Sequence, residues 1–289
     1  MKKILVLGSY GFIGKYIVDY FQKKGMNVIK LGHSKDSKDG SSVNICNLDK
    51  LSDIDYIINC AGSGDVRKSF LKPLDDFEKN VYLLEEVLEY ARKCVNKPKI
   101  IQLSSAAVYG VVPDIAIKEE NILNPISPYG YHKRIAEEMC ENYSRFFGID
   151  ISVIRLFSVY GNNLKKQLLW DACNKFQFDE KVSFFGTGKE TRDFLHVRDV
   201  CRLIDNLIIS SRGFEIINGG VGRRIELNYV ISLIAKEFNK EYLFNNEVKE
   251  GDPTYYLADI AKLNEISFLP TVKLEYGIKE YTNWYKTII

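Results

Sequence analysis

The amino-acid sequence predicts an α/β protein with a doubly wound parallel sheet and a smaller C-terminal lobe interleaved with it. Short apolar runs rich in β-branched residues recur through the first half of the chain, and amphipathic helical patterns lie between several of them. Continuous apolar strands that alternate with helices are typical of a parallel sheet covered on both faces. The strand-like runs are KILVLG (3–8), NVIKLG (27–32), DYIINCAG (55–62), KIIQLSS (99–105) and DISVIRLF (150–157).

Helices are predicted between these strands at residues 14–24, 76–93 and 129–147. In the second of them, apolar residues recur at the three- and four-residue spacing of a helix face. After about residue 160 the pattern changes, because GTGKETRD (186–193) is polar and loop-like, while FEIINGG (214–220) predicts one further strand.

The composition is that of an ordinary soluble globular protein. Of the 289 residues, 46% are hydrophobic and 27% charged, and the net charge of +2 gives no support for a nucleic-acid or membrane-surface partner. No apolar run reaches the about 18 residues of a membrane span. The six scattered cysteines contain no Cys-x-x-Cys pair, which indicates reduced thiols and a cytoplasmic location. The three histidines have no ligand spacing, so no metal site is predicted.

Three glycines follow the first predicted strand directly, in the sequence GSYGFIG (8–14). The spacing of Gly8, Gly11 and Gly14 allows a tight turn and a close approach of the backbone to a pyrophosphate at the N-terminus of the next helix. We therefore predict a dinucleotide-binding (Rossmann) domain of residues 1–161 and 193–215, and a substrate-binding lobe of residues 162–192 and 216–289. The other residues expected to contact the cofactor are Tyr10, Phe12, Ile13, Cys60, Ala61, Gly62, Ser104, Tyr129 and Lys133.

The end of the second predicted strand bears on the choice of dinucleotide. An NAD site of this kind usually has an Asp or Glu there, which accepts hydrogen bonds from the adenosine ribose. This chain has Gly32 followed by His33, Ser34 and Lys35, which could donate hydrogen bonds to a 2′-phosphate. The sequence therefore favours NADP, and NAD remains possible.

A tyrosine–lysine pair is the candidate for proton transfer. Two Tyr-x-x-x-Lys pairs occur, Tyr20–Lys24 and Tyr129–Lys133, so the spacing alone carries no weight. Only the second pair follows a serine, Ser105, placed at the end of a predicted strand, and ligand chemistry gathers at the carboxyl ends of parallel strands.

The start of the third predicted helix should bring this pair to the strand end. Ser127 is expected to cap the helix and Pro128 to lie in its first turn. Tyr129 and Lys133 then share one face of the helix, while Tyr131 and His132 lie on other faces.

With these motifs in place, the chain resembles the extended short-chain dehydrogenases/reductases, a group of nucleotide-sugar epimerases, dehydratases and reductases. The resemblance runs nearly end to end. It is carried by GSYGFIG, NCAG (59–62), SFLKPLDDFEKNV (69–81), SSAAVYG (104–110), SPYGYHK (127–133), RLFSVYG (155–161), GTGKETRDFLHVRDV (186–200), NGG (218–220) and KEGDP (249–253).

The resemblance implies catalytic roles for Ser105, Tyr129 and Lys133. Tyr129 would exchange a proton with a substrate oxygen while hydride moves at the same carbon, and Ser105 would hydrogen-bond that oxygen. An unperturbed tyrosine has a pKa of about 10, which the Lys133 ammonium and an oxidised nicotinamide ring are expected to lower. Lys133 would also hold the nicotinamide ribose. Asn80 is expected to fix active-site backbone or water.

Two alanines narrow the reaction that the resemblance implies. The 4,6-dehydratases of the family carry an Asp–Glu pair directly after the catalytic hydroxyl residue, where this chain has Ala106 and Ala107. The family's enzymes that make GDP-fucose have a cysteine at the first of these positions and a Pro-His pair after the VYG element, where this chain has YGNNL (160–164). Hydride chemistry at a single carbon remains.

The resemblance also implies a nucleoside-diphosphate sugar as substrate. Arg192 and Lys249 correspond to the family's diphosphate-binding positions, and an arginine suits a diphosphate through its bidentate fork. Ser105 and Ala106 are expected to contact the sugar.

The first functional prediction is NADPH-dependent reduction of a keto group, at C4, on a nucleotide-activated sugar, with a role in polysaccharide biosynthesis. The alternative is an NAD-dependent nucleotide-sugar 4-epimerase, which oxidises and reduces the same carbon. A third possibility is a non-catalytic, dinucleotide-sensing regulator on the same fold, although such proteins typically lose the tyrosine–lysine pair. By analogy with the family, helices 76–93 and 129–147 would form a homodimer interface.

Overall fold

The computed structural model describes residues 1–32, 48, 50–210, 212–247 and 255–289, without the side chain of Ser210. The predicted cofactor contacts His33, Ser34 and Lys35 and the predicted substrate contact Lys249 lie outside the described residues.

Twelve strands are found in the described part of the chain. In chain order they are β1 (Lys3–Leu7), β2 (Asn27–Leu31), β3 (Tyr56–Asn59), β4 (Lys99–Ser105), β5 (Ile151–Leu156), β6 (Ser158–Tyr160), β7 (Val182–Phe184), β8 (Thr191–Arg192), β9 (Phe194–His196), β10 (Phe214–Gly219), β11 (Ile225–Glu226) and β12 (Tyr242–Phe244).

Helices occur between these strands, and several have the expected positions. They are α1 (Phe12–Lys23), α2 (Val66–Leu71), α3 (Pro73–Phe77), α4 (Leu83–Lys93), α5 (Pro128–Phe147), α6 (Gln167–Phe178), α7 (Val197–Ser210), α8 (Leu227–Phe238), α9 (Ala261–Glu265) and α10 (Leu274–Ile288), with a π-helical segment at Glu78–Tyr82 and a 3-10 turn at Ala106–Val108. The helix predicted at 76–93 therefore begins earlier, at Pro73, and is π-helical instead of α-helical around Asn80.

Six strands form one sheet in the order β10-β5-β4-β3-β1-β2. The pairs β1–β2, β1–β3, β3–β4 and β4–β5 are parallel, which confirms the predicted doubly wound α/β class. Almost every residue of β1, β4 and β5 is buried, as expected for strands covered on both faces.

The chain divides into two compact units. The first contains residues 1–110, 119–156 and 201–218, and the second contains 111–118, 157–200 and 219–289. The predicted division gave 157–161 and 193–200 to the dinucleotide-binding domain, whereas here both segments belong to the second unit. The reason is local pairing, because β6 (158–160) pairs in parallel with β9 (194–196).

The second unit is built from short strand pairs and helices. The polar segment 186–193, expected to be a loop, contributes β8, which pairs antiparallel with β11, and β7 pairs in parallel with β12. Aromatic side chains of the helices pack together, with the rings of Phe176 and Phe238 stacked at 5.9 Å and Phe238 against Tyr285 at 6.2 Å.

Two general features follow from the described residues alone. None of their helices has both the length and the apolar character to cross a membrane. None of their cysteines, at positions 60, 94, 140, 173 and 201, forms a disulfide bond.

Candidate active site

The glycine loop forms a tight cradle at the end of β1. Gly8 has a φ of +72°, and a Cβ there would lie 2.7 Å from the backbone nitrogen of Ala61. A Cβ on Gly14 would lie 2.1 Å from the carbonyl oxygen of Gly8. Side chains are therefore excluded at both positions, and α1 can begin directly against the strand end.

The start of α1 leaves backbone donors available for an anion. Its N-cap is Gly11, which has no side chain that could cap the first amide groups. The first amide groups of a helix have no partner within the helix, and its N-terminus carries a partial positive charge. The loop and the helix start thus fit the pyrophosphate of a dinucleotide.

Of the side chains predicted to line this cradle, Tyr10 is 41% exposed, and Phe12 and Ile13 are partly buried. The loop after β3 is fixed by two side chains that the sequence analysis missed. Asn59 Oδ1 accepts a hydrogen bond from the backbone nitrogen of Ala61 at 3.1 Å, and Asn59 Nδ2 donates to Gln102 Oε1 at 2.8 Å. These contacts hold the predicted cofactor residues at the carboxyl end of the sheet.

The structure brings Ser105, Tyr129 and Lys133 together in the first unit. Ser105 ends β4, and its hydroxyl hydrogen-bonds the phenol of Tyr129. Lys133 Nζ lies 5.9 Å from the centroid of the Tyr129 ring and donates to the carbonyl oxygen of Leu103 at 3.1 Å. Tyr129 and Lys133 are both buried. The expected meeting of helix start and strand end is therefore observed.

The helix start has the predicted cap and one unexpected anchor. Ser127 Oγ accepts a hydrogen bond from the backbone nitrogen of Gly130 at 3.1 Å, and Pro128 occupies the first turn. The backbone nitrogen of Tyr129 donates to the hydroxyl of Ser69 on α2 at 3.1 Å. Ser69 satisfies a donor that would otherwise be orphaned at the helix N-terminus.

Electrostatics at the site differ from the expectation for Tyr129. Its pKa is raised, because burial disfavours the phenolate more than the Ser105 hydrogen bond favours it, and the charge of Asp76 raises it further. Burial also lowers the pKa of Lys133 to about 8, against the opposing charges of Asp76 and Glu137. The lysine alone does not convert Tyr129 into a base.

A second polar cluster occupies the same two elements. Ser104 hydrogen-bonds Glu137 on α5, and Glu137 forms an ion pair with Arg155 of β5, with Nη2 to Oε2 at 2.7 Å. Arg155 Nη1 also donates to the hydroxyl of Tyr109 at 2.9 Å and to the carbonyl oxygen of Glu119 at 2.8 Å. All these side chains are buried, and the sequence analysis predicted none of these contacts.

The residues next to the tyrosine take different positions. Tyr131 is 55% exposed. His132 packs edge-on against Phe77 with ring centroids 5.5 Å apart, and its Nδ1 lies 2.7 Å from Asp76 Oδ2. Asn80 Nδ2 donates to the carbonyl oxygen of Asp76 at 3.1 Å within the π-helical stretch.

The predicted diphosphate contact Arg192 lies on β8 in the second unit. Its Nη1 donates to the carbonyl oxygen of Thr191 at 2.8 Å. Burial raises the pKa of Tyr256 to about 12, and the positive charge of Arg192 opposes this rise. Arg192 is partly exposed. Among the described residues, no group of three His, Cys, Asp or Glu side chains could hold a metal ion.

The sequence model of one family, described as the NAD dependent epimerase/dehydratase family, matches residues 4–220. The chain belongs to this family. It is therefore an enzyme of the extended short-chain dehydrogenase/reductase type, which confirms the resemblance found in the sequence.

Named relatives are similar over their whole length. The UDP-glucuronate 4-epimerase of Thermodesulfobacterium geofontis is 28% identical over 98% of this chain and 95% of its own. The UDP-N-acetylglucosamine 4-epimerase of Methanobrevibacter ruminantium, solved with UDP-N-acetylmuramic acid, is 25% identical with a TM-score of 0.89, covering 100% of this chain and 99% of its own. The UDP-glucuronic acid 4-epimerase of Bacillus cereus, solved with UDP-glucuronic acid and NAD, is 26% identical with a TM-score of 0.88, covering 99% and 100%.

Proposed function

We propose that the protein is an NAD-dependent 4-epimerase of a UDP-activated sugar. The observation that carries this proposal is the full-length similarity to 4-epimerases, including the Bacillus cereus enzyme with its UDP-sugar and NAD, combined with the Ser105–Tyr129–Lys133 cluster. These relatives support the 4-epimerase alternative better than the reductase that the sequence analysis placed first.

A bound nicotinamide dinucleotide supplies the acceptor and donor of hydride at one sugar carbon. Tyr129 takes the proton of the sugar hydroxyl when the carbon is oxidised and returns it when the keto carbon is reduced on its opposite face, so the carbon is inverted and no net proton is consumed. Ser105 donates a hydrogen bond to the same oxygen. Lys133 provides a positive charge beside the phenol. This charge favours the phenolate form of Tyr129 while the proton is on the sugar hydroxyl.

The neighbours of Ser105 argue against dehydration and leave hydride chemistry at a single carbon. Ala106 and Ala107 follow it in the 3-10 turn, and the backbone nitrogen of Ala107 donates to Ser105 Oγ at 3.2 Å. Neither methyl group can remove a C5 proton or protonate a leaving hydroxyl. Dehydration therefore has no acid or base at these positions.

We propose NAD as the bound cofactor. The support is the NAD of the Bacillus cereus relative, since the glycine cradle suits either dinucleotide. The prediction of NADP depended on His33, Ser34 and Lys35, which lie outside the described residues. Quenching of protein fluorescence by NAD⁺ and NADP⁺ in parallel titrations tests the choice, and tighter binding of NADP⁺ would reverse it.

The substrate is tested by incubating the protein with NAD⁺ and, separately, UDP-glucose, UDP-N-acetylglucosamine and UDP-glucuronic acid. Proton NMR of the sugar should show the 4-epimer of at least one substrate, without accumulation of NADH. A Tyr129→Phe variant serves as the control. Oxidation of NADPH by a 4-keto sugar nucleotide, without epimerisation of any substrate, would establish the reductase instead. Binding of dinucleotide without either reaction would favour the regulator.

We propose that the protein forms a homodimer through the helical regions 76–93 and 129–147. Five apolar side chains on these helices are between 38% and 67% exposed: Phe77, Tyr82, Tyr131, Phe146 and Phe147. Sedimentation at micromolar concentration should give a dimer, and a monomer would contradict the proposal.

Diphosphate binding by Arg192 and Lys249, the cytoplasmic location and a role in polysaccharide biosynthesis remain predictions from the sequence.

A further inference from the structure

A buried acidic side chain lies close to the Tyr129–Lys133 pair and has no part in the chemistry derived above. Asp76, on α3, is 3% exposed. Its Oδ2 atom lies 2.7 Å from Nδ1 of His132 on α5. Its Oδ1 atom is buried and has no hydrogen-bond partner among the described residues. A buried carboxylate with a hydrogen-bond partner on one oxygen only costs folding free energy, so its retention suggests a functional role.

Asn80, one helical turn after Asp76, borders a small space beside Lys133. Asn80 Nδ2 donates to the carbonyl oxygen of Asp76, while Asn80 Oδ1 is buried and also lacks a partner within the described chain. A Cβ built on Gly62 would lie 2.6 Å from Asn80 Oδ1 and 3.6 Å from Lys133 Nζ. Asn80 and the ammonium group therefore border the same small space. Lys133 has three protons to donate, and one is given to the carbonyl of Leu103.

The charges that face Lys133 come from three elements. Asp76 and Glu137 are the carboxylates, and Cys60 and Cys140 are thiols whose pKa values burial raises, so that they stay neutral. The charge of Glu137 is already paired with Arg155. Asp76 is the facing carboxylate whose hydrogen-bond partner is a histidine and not a permanently charged arginine.

We propose that Asp76 is a positioning residue of the active site, whose carboxylate, held by His132, keeps Lys133 in its charged form beside Tyr129. Only the effect on turnover rests on the proposed function. Burial brings the pKa of Lys133 to about 8, and the charge of Asp76 acts in the opposite direction. The charge of Asp76 therefore increases the fraction of Lys133 that is charged near neutral pH. The same charge raises the pKa of Tyr129 and stabilises the protonated phenol, and the hydrogen bond from Ser105 opposes it.

The direct test is an NMR titration of Lys133 in protein with ¹³C-labelled lysine, without substrate. The resonance is assigned by its loss in Lys133→Met. In Asp76→Asn, which keeps the size of the side chain, the midpoint should fall by about 1 pH unit, because a nearby opposite charge has been removed. Asp76→Glu should keep the midpoint close to that of the unchanged protein. Asp76→Ser is a second neutral variant, should the asparagine not fold.

The matched control is Asp75→Asn, which removes the same charge from the neighbouring residue. The Asp75 side chain is 48% exposed and lies 4.0 Å from Lys72. Its removal should leave the Lys133 midpoint unchanged. An unchanged midpoint in a folded Asp76→Asn or Asp76→Ser variant would overturn the proposal, and so would an equal shift in Asp75→Asn.

Turnover provides the second measurement. If the protein is a 4-epimerase, the alkaline limb of its kcat profile should move about 1 pH unit to lower pH in Asp76→Asn and stay in place in Asp75→Asn. A loss of packing alone would lower kcat at every pH without moving the limb. If no epimerisation is found in the unchanged protein, the proposed function fails, and the NMR titration still decides the role of Asp76.

Discussion

Two polar clusters lie side by side on β4 and α5, and they differ in how far their hydrogen bonds are satisfied. The cluster proposed to be catalytic, called the catalytic cluster below, takes Ser105 from the strand and Tyr129 and Lys133 from the helix. The structural cluster takes the preceding strand residue, Ser104, and the helix residue one turn further on, Glu137. One residue along the strand and one turn along the helix separate them.

In the structural cluster the two opposite charges are paired with each other. Glu137 receives Arg155 through two guanidinium nitrogens, and Arg155 reaches two further oxygens. Burial disfavours the charged form of Arg155, but Glu137 outweighs this and raises its pKa. In the catalytic cluster, by contrast, burial lowers the pKa of Lys133 and raises that of Tyr129. Closely placed buried groups can therefore serve stability or proton transfer, depending on whether their charges are paired.

The largest effect is expected from Tyr129→Phe. Removing the phenol oxygen deletes the proton carrier, so kcat should fall about 10³-fold or more. The free energy of unfolding should change by less than about 1 kcal/mol, since the ring remains in place. Epimerase assays and urea denaturation measure the two quantities. Tyr131→Phe, at an exposed position two residues away, is the matched control and should retain activity.

In the structural cluster, Arg155→Met should lower the free energy of unfolding. The change leaves the carboxylate of Glu137 buried without its cation, which should cost about 3–5 kcal/mol of stability. Urea denaturation gives the value. Adding Glu137→Met removes the unpaired charge and should recover a large part of the loss. A single variant as stable as the unchanged protein would contradict the assigned role of the ion pair.

The two adjacent serines offer the sharpest contrast. Ser105→Ala removes a hydrogen bond to the reacting oxygen and should lower kcat about 10²-fold with little change in stability. Ser104, which the sequence predicts to contact the cofactor, donates its hydroxyl to Glu137. Ser104→Ala removes this neutral donor and should cost about 1 kcal/mol of stability while kcat changes little. Parallel kinetics and denaturation of both variants measure the difference. Similar kinetic defects in the two variants would show that the clusters are not separate.

The smallest effect is a difference in pH response. Lys133, with its pKa lowered to about 8, loses its charge as the pH rises through 8, so kcat should decline above that pH. In Lys133→Arg the charge persists, and the decline near pH 8 should disappear although the maximum is lower. A pH–rate profile of both proteins provides the measurement. An unchanged limb in the variant would assign it to another group.

Much of the geometry of the candidate active site could be predicted because its signals are local in sequence. The serine cap, the proline and the four-residue spacing place Tyr129 and Lys133 at the start of α5, and the structure agrees. The pairing of Asp76 with His132 spans 56 positions and has no local signal. The π-helical turn at Asn80 was also missed, because its apolar spacing is close to that of an α-helix.

Short stretches of sequence were sufficient to predict the alternation of strands and helices, the glycine cradle, and which tyrosine stands beside a lysine and a strand-end serine. These features depend on periodicity, backbone freedom and spacing, which are properties of short stretches. Only the folded chain shows which buried charges are paired and in which direction the pKa values of Tyr129 and Lys133 move. Those outcomes depend on desolvation and on partners distant in sequence, such as Asp76, and both are fixed only when the chain has folded.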